Sequence, residues 1–241
     1  MTSRPNAILD RFFTCLISGD RPGARGVMDE LFEADCPADK IASNLIWPTL
    51  HNLQTMRRND QLTALAFNYA TRLLRGITDQ LQLRFEQKDR RGIKCLVVCG
   101  AEESEELAGQ LTADLLEADG YEVYFTGGGI ANDEIVEQLG QINAQKLVIF
   151  GAIPATVPQT RQLIDRLHDI GVCPDIQIIV GGGIFNRAEG LSEEIGADLW
   201  ANDPLELVEE MNNHPTQRME PAEQRTVGRR KAQASRKTKA A

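Results

Sequence analysis

Long hydrophobic runs, aromatic residues and histidines are all scarce in this sequence. No run of about 18 apolar residues occurs, which excludes a membrane-spanning helix. The N-terminus has no apolar segment after a basic start, which argues against a secretory signal. Hydrophobic residues still make up 42% of the 241 residues, which is enough to bury a core. We therefore expect a folded cytoplasmic protein.

The motifs of common cofactor and metal sites are also missing. The five cysteines are odd in number and no two are separated by two residues, which speaks against disulfides and zinc or redox motifs. The three histidines are scattered, so no protein metal site is predicted. The loop after the first predicted strand lacks both the Gly-x-Gly-x-x-Gly and the Walker pattern. The sequence therefore predicts no dinucleotide or nucleoside triphosphate site.

Charge is distributed unevenly along the chain. The net charge is −9, but residues 216–241 carry +6 and the remainder −15. An acidic body repels nucleic acid and anionic membranes. The segment 214–241 has too few apolar residues to fold and is predicted to be a disordered basic tail. Nucleic acid is expected to bind only non-specifically, through this tail, and no membrane partner is expected.

The spacing of apolar residues changes between the two halves of the chain. Residues 7–85 show helical spacing, and the helical cap domain at 1–85 is predicted to be a four-helix bundle, with Asp39 capping the third helix and Pro48 bending it. A charged linker follows at 86–92. Strands and helices then alternate over 93–213, which predicts an α/β domain with a five-stranded, doubly wound parallel sheet of the flavodoxin-like or Rossmann-like type. The strands are predicted at 93–99, 121–125, 146–150, 176–180 and 198–201, and the helices at 103–119, 132–139, 156–170, 188–195 and 204–212.

Ligands of such sheets bind outside the carboxyl ends of the strands. Glycine triplets at 127–129 and 181–183 follow the second and fourth strands, where glycine permits either a tight turn or the close approach of a ligand. The loop 151–158 after the third strand consists of small residues. Four glutamates lie within 100–106, where acids in the first turn of a helix complement its dipole. Acid and base chemistry by these glutamates stays open as an alternative.

Several stretches together resemble a known family. They are Leu-Ile-Ser-Gly-Asp-Arg at 16–21 and residues 41–53 in the helical half, and residues 111–123, 180–182 and 195–203 in the second half. Over about residues 7–212 the chain resembles the cobalamin-binding module shared by methionine synthase, corrinoid methyl-carrier proteins and cobalamin-dependent regulators. The resemblance implies a helical cap, an α/β domain and cobalamin as the cofactor, held between the two.

The residues that would contact the cofactor depart from this family. Its Asp-x-His-x-x-Gly motif aligns with residues 103–108, which places Glu105 where the resemblance implies a cobalt-ligating histidine, and a carboxylate is a poorer ligand for cobalt. Its Ser-x-Leu motif aligns with Gly151 to Ile153, without the hydroxyl expected to bond the nucleotide tail. The predicted cofactor-binding residues are Glu103, Ser104, Glu105, Ala108, Gly127, Gly151, Ile153, Gly181 and Gly182 in the second half, with Phe67 and Asn68 in the cap.

Two functions follow from the resemblance and its departures. In the first, the chain binds cobalamin with altered axial ligation and acts as a sensor, regulator or carrier, because no nucleophile with an acid and a base is evident. A carrier would serve a separate methyltransferase or mutase. In the second, the chain is a cofactor-less descendant that serves as a protein-interaction or regulatory module. A protein partner and a homo-oligomer both stay open.

Overall fold

Two units of different architecture make up the chain, and they divide between Lys88 and Asp89, inside the predicted linker. The structure is a computed structural model that describes residues 4–151 and 154–219. Within these ranges, none of the helices combines the length and the apolar character needed to cross a bilayer.

The first unit is helical. Asp20 begins the second helix by accepting a hydrogen bond from the Gly23 N–H at 3.0 Å, and Thr63 begins the last by accepting one from the Ala66 N–H at 3.2 Å. The helices are α1 (Arg4–Ser18), α2 (Arg21–Glu33), α3 (Ala38–Ile41), α4 (Trp47–Arg58) and α5 (Ala64–Leu81). Their core contains the buried side chains of Phe12, Leu16, Ile41, Ile46, Leu50, Leu53, Leu74 and Leu81.

The third predicted helix differs in detail from its prediction. A π-helical stretch at Ala42–Ile46 joins α3 to α4, and the Trp47 N–H donates to the Ala42 carbonyl five residues earlier. This wider turn lies just before Pro48, which has no N–H to donate, so the chain accommodates the proline without ending the helix. The prediction that Asp39 caps this helix is wrong. Pro37 occupies the cap position, and Asp39 lies in the first turn, where its charge still complements the helix dipole.

The second unit is a five-stranded parallel sheet with helices on both faces. Its strands are β1 (Lys94–Cys99), β2 (Glu122–Gly127), β3 (Lys146–Phe150), β4 (Gln177–Gly181) and β5 (Leu199–Ala201), in the spatial order β2-β1-β3-β4-β5. Its helices are α6 (Glu103–Ala118), α7 (Asn132–Ile142), α8 (Val157–Ile170), α9 (Leu191–Ile195) and α10 (Pro204–Asn213). This confirms the predicted fold class. The predicted helix at 188–195 forms only from Leu191, because Gly190 has a φ of 78° that a helix does not allow.

The two faces of the sheet pack against different helices. α6 packs against β1, β2 and α10. The other face forms an apolar cluster with α7, α8 and α9, which includes Leu96, Val98, Ile149, Leu163 and Val180. The helices therefore change face between β1 and β3, and this opens a crevice at the carboxyl ends of those strands.

Polar contacts stabilise the other end of the sheet, where the strands begin. Arg91, just before β1, is paired with the buried carboxylate of Asp119, and the Asn212 amide also donates to Asp119 at 2.9 Å. Residues 214–219 lie against this end as well, although they fall in the segment predicted to be a disordered tail. Buried Gln177 donates to the carbonyls of His214 and Gln217 at 2.9 and 2.8 Å. The rest of the predicted tail lies outside the described residues.

Candidate functional site

The candidate site lies where β1 and β3 end side by side. Val98 pairs with Ile149 and Cys99 with Phe150 at the ends of these neighbouring strands. The loop from Gly100 then leads into α6 on one face of the sheet. The segment after Gly151 leads into α8 on the other face. The two faces offer different surroundings to a ligand, and they are described in turn.

Glu105 dominates the face on which α6 packs. Its side chain is buried, with 2% of its surface exposed, and its Oε2 accepts a hydrogen bond from the Glu102 N–H at 3.3 Å. A Cβ added to Gly100 would lie 2.3 Å from the Glu105 carboxyl group, so this group rests directly on the Gly100 backbone. The carboxylate is thus held within the first turn of its own helix, where it accepts the hydrogen bond of the Glu102 N–H and complements the helix dipole.

Gly151 and Ala108 let α6 pass close to the end of β3. The Gly151 N–H donates to the Gly181 carbonyl at 2.9 Å, which continues the pairing of β3 with β4. A Cβ added to Gly151 would lie 3.3 Å from the Glu105 carbonyl oxygen and 3.4 Å from the Ala108 Cβ. The small residues at these two positions therefore have a packing role, whatever else they contact.

The ring of Phe150 fills the space beside Gly181 and Gly182. Phe150 is completely buried. A Cβ added to Gly181 would lie 2.6 Å from its ring, and one added to Gly182 would lie 2.8 Å from it. Contacts this short do not occur between real side chains, so the two glycines are required by an aromatic ring of the chain itself. We call this filled space the glycine groove.

An open cleft occupies the other face of the same sheet edge. It has a volume of about 590 Å³ and lies between the ends of β1 and β2 and the first turns of α7 and α8. Its apolar floor consists of the buried side chains of Val98, Ile135, Ile149 and Leu163. Its rim is polar and is formed by residues that include Gly129, Asn132, Thr156, Gln159 and Thr160. We call this space the α7–α8 cleft.

The rim of the α7–α8 cleft is held in place by polar contacts. The Asn132 amide donates to the Gln159 carbonyl at 3.0 Å and so links the starts of the two helices. Asp133, a carboxylate among the cleft residues, forms an ion pair with Arg166 at 2.8 Å. The rim therefore presents mainly amides, hydroxyls and backbone groups. A cleft with an apolar floor and a few convergent polar groups has the usual character of a small-molecule site.

The first glycine triplet forms the wall of this cleft. Gly127 and Gly129 line it and have φ values of 72° and 77°. A Cβ on Gly128 would lie 2.1 Å from the Gly100 carbonyl oxygen, so Gly128 lets two loops of the site approach each other. The sequence left open a tight turn or the close approach of a ligand at this triplet, and at Gly128 the structure shows the close approach of two backbones.

Comparison with known proteins identifies the second unit. Residues 93–209 match the model of the B12-binding domain family. These residues form a B12-binding domain. The match begins one residue before β1 and ends within α10, so it covers the whole sheet. It confirms the predicted cobalamin-binding module.

Corrinoid proteins are among the similar sequences. The chain is 26% identical over 98 residues to dimethylamine corrinoid protein 1 of Methanosarcina acetivorans, a match that covers 41% of this chain and 45% of the relative. Monomethylamine corrinoid protein 2 of Methanosarcina barkeri is 24% identical over 134 residues, which cover 55% of this chain and 60% of the relative. The chain thus spans about half the length of these relatives. Family and relatives together support cobalamin as the cofactor.

A solved structure shares the fold. The monomethylamine corrinoid protein of Methanosarcina barkeri matches with a TM-score of 0.71 and 18% identity, over 86% of this chain and 97% of that chain. At this identity the match supports the architecture alone.

The structure brings together only some of the predicted cofactor residues. Ser104, Glu105 and Ala108 lie buried in the first turns of α6, and Glu103 before them is partly exposed. Gly151 lies against Glu105 and Ala108. Gly181 and Gly182 lie against the ring of Phe150. Gly127 instead lines the α7–α8 cleft. Ile153 lies outside the described residues. Phe67 and Asn68 lie on α5 of the other unit, half-buried and exposed respectively, and their role in the B12-binding domain stays a prediction.

Sequence reasoning missed the residues that distinguish the two faces. The hydrophobic pattern predicts that Phe150 ends a strand, but it does not indicate that the Phe150 ring packs against two glycines 31 and 32 residues later. The polar residues of the cleft rim could have been predicted from the sequence, because they lie in the first turns that follow two strand ends. Among the described residues, no group of three or more His, Cys, Asp or Glu side chains is placed to hold a metal ion.

Proposed function

We propose that this chain binds a corrinoid through its B12-binding domain and serves as a carrier, sensor or regulator. In this proposal the cobalt keeps the base of the cofactor's own nucleotide as its lower ligand. The protein supplies the binding surface at the carboxyl ends of the strands. The family of the domain and the corrinoid proteins among its relatives support corrinoid binding.

The position of the Glu105 carboxylate carries the proposal of altered ligation. In the family resemblance this position belongs to a cobalt-ligating histidine. Here the side chain is a carboxylate, is 2% exposed, and accepts a hydrogen bond from its own helix start. An imidazole nitrogen suits cobalt better than a carboxylate oxygen does. A buried carboxylate that already serves its helix would also lose that interaction by turning outward.

A carrier or sensor role is supported by the names of the relatives, which are corrinoid proteins. As a carrier, the chain would present the loaded corrinoid to a second protein that holds the substrate. As a sensor, it would change its contacts with a partner when the corrinoid binds. Both roles require the same binding step.

The filled glycine groove favours a second candidate, a cofactor-less interaction module. If the nucleotide tail of a corrinoid had to lie beside Gly181 and Gly182, the completely buried ring of Phe150 would exclude it. The open α7–α8 cleft, about 590 Å³ in volume, supports the corrinoid alternative, because the same sheet edge retains space for a ligand.

Retention of a corrinoid by the full chain separates these candidates. The purified protein is mixed with methyl-, adenosyl- or hydroxocobalamin, desalted, and examined by visible spectroscopy. Corrinoid binding predicts retained absorbance with at least one form, and a spectrum of the base-on type. If no form is retained, corrinoid binding is wrong and the interaction module is the better interpretation.

The Glu105→Gln variant tests the ligation. Glutamine retains an oxygen that accepts the hydrogen bond of the Glu102 N–H, but it has no charge to offer to a metal. We therefore expect the same retention and the same spectrum as for the wild type. A changed spectrum of the bound corrinoid in this variant would mean that the carboxylate ligates cobalt, and it would contradict the proposed ligation.

A further inference from the structure

We infer that the α7–α8 cleft is the subsite for the nucleotide loop of the corrinoid, its phosphate, ribose and aromatic base. This inference rests on the proposed corrinoid binding and adds where the nucleotide goes. The contrast between the two faces of one sheet edge carries it. The glycine groove is filled by a ring of the chain, whereas the α7–α8 cleft is open.

The filled groove excludes the nucleotide from the α6 face. The ring of Phe150 has no exposed surface, and its atoms lie within 2.8 Å of where a single added carbon at Gly181 or Gly182 would stand. A base and a ribose need far more room than one carbon. Moving the ring would also expose it and leave a cavity beside Gly181 and Gly182, at the cost typical of a lost aromatic core contact.

The cleft has the size and chemistry of the missing subsite. Its volume of about 590 Å³ lies within the range of pockets that hold small ligands. The apolar floor, which includes Ile135, Ile149 and Leu163, suits the faces of an aromatic base. The Gln159 amide on the rim suits ribose hydroxyls and phosphate oxygens, and the Thr160 hydroxyl, which donates to the Thr156 carbonyl at 3.2 Å, can still accept a hydrogen bond from a ribose hydroxyl.

The cleft has few charged groups. Asp133 is the carboxylate among the described residues that line it, and its ion pair with Arg166 at 2.8 Å offsets its charge. The described lining contains no basic side chain, so the hydroxyls and amides of the rim would hold the phosphate.

The experiment compares two probes on the full chain. Hydroxocobalamin carries the nucleotide loop, and cobinamide is the same corrin without it. If the cleft holds the loop, the wild type should bind cobalamin at least about tenfold more tightly than cobinamide in equilibrium dialysis followed by visible absorbance.

Ala131→Trp places an indole in the cleft. Ala131 is an exposed cleft residue that precedes α7, so the larger side chain disturbs no buried contact. We expect cobalamin affinity to fall about tenfold or more, toward that of cobinamide, while cobinamide affinity stays within about twofold. Gln141→Trp, an exposed position near the other end of α7, is the matched control and should bind both probes as the wild type does.

Three outcomes overturn the inference in distinguishable ways. Equal binding of both probes by the wild type means that the protein does not recognise the nucleotide. Unchanged cobalamin affinity in Ala131→Trp means that the nucleotide lies elsewhere. Failure of the wild type to bind either probe refutes the proposed function itself, and the inference falls with it.

Discussion

A double-mutant cycle at Gly182 and Phe150 tests whether the aromatic ring, and not a ligand, explains the retained glycines. Gly182→Ala adds one carbon, which would lie 2.8 Å from Cε1 and 3.0 Å from Cζ of the Phe150 ring. The residue also has a φ of 65°, which costs alanine about 1–2 kcal/mol. Overpacking against a buried ring adds about 1–3 kcal/mol. We therefore expect Gly182→Ala to lower the free energy of unfolding by about 2–5 kcal/mol.

Removing the Phe150 ring should remove the overpacking contribution to the cost of Gly182→Ala and leave the contribution of backbone strain. Phe150→Ala alone should cost about 3–5 kcal/mol, as is usual for a buried phenylalanine. In the Phe150→Ala background, Gly182→Ala should then cost only its backbone strain. The double variant should be more stable than the sum of the single effects by about 1–3 kcal/mol. Phe150→Leu provides the same cycle with a smaller volume change if the alanine variant does not fold.

Urea unfolding followed by tryptophan fluorescence measures these energies. A Trp47→Phe background leaves Trp200, on β5 of the B12-binding domain, as the reporter. Gly171→Ala is the matched control, because Gly171 has a similar φ of 69° but no atom within 4 Å of an added Cβ. Its cost should be the same with and without the ring. Additive energies at Gly182 and Phe150, within about 0.5 kcal/mol, would refute the reasoning.

Three further predictions concern stability and use the same unfolding measurement. Gly128→Ala should lower the free energy of unfolding by more than about 2 kcal/mol, because its Cβ would lie 2.1 Å from a backbone oxygen. Gly26→Ala, in α2 with open space around it, should raise the free energy of unfolding by up to about 1 kcal/mol. The reverse ranking would contradict the loop contact. Arg91→Met should cost about 1–3 kcal/mol, since it leaves the buried Asp119 carboxylate without its guanidinium partner, and no loss would mean that the pair is not formed. Burial raises the pKa of the Cys95 thiol from 9.0 to about 12, so above about pH 9 the folded state binds more protons than the unfolded chain and stability should fall with rising pH. This fall should be smaller in Cys95→Ala, and equal slopes would contradict the pKa shift.

The order of the elements in the B12-binding domain could be predicted because its strands are compact and buried. The runs at 93–99 and 146–150 are apolar and bounded by turn residues, and they become β1 and β3 with shifts of at most one residue. The bounds were less accurate where backbone conformation decides them. The helix predicted at 188–195 begins only after Gly190, and the cap assigned to Asp39 belongs to Pro37. The hydrophobic pattern records burial but not these local dihedral angles.

The candidate site was harder to predict because it depends on where side chains turn. The position of Glu105 in the first turn of α6 follows from the sequence, but its burial against Gly100 does not. The residues that line the α7–α8 cleft come from four separate segments, and only the rule for strand ends indicated its place.

The glycine pair at 181–182 shows how a retained motif can change its partner. In the family resemblance these glycines imply room for a cofactor, and in this chain they provide room for Phe150. Either occupant requires the absence of a Cβ, so the glycines by themselves cannot distinguish a corrinoid-binding chain from a cofactor-less one. The distinction lies in what else the sheet edge offers. On the filled face, the position of the expected cobalt-ligating histidine is occupied by a buried glutamate, Glu105. The opposite face has an open cleft with an apolar floor. If the corrinoid binds in this cleft, mutations that fill it from exposed positions such as Ala131 should leave stability unchanged and weaken corrinoid binding.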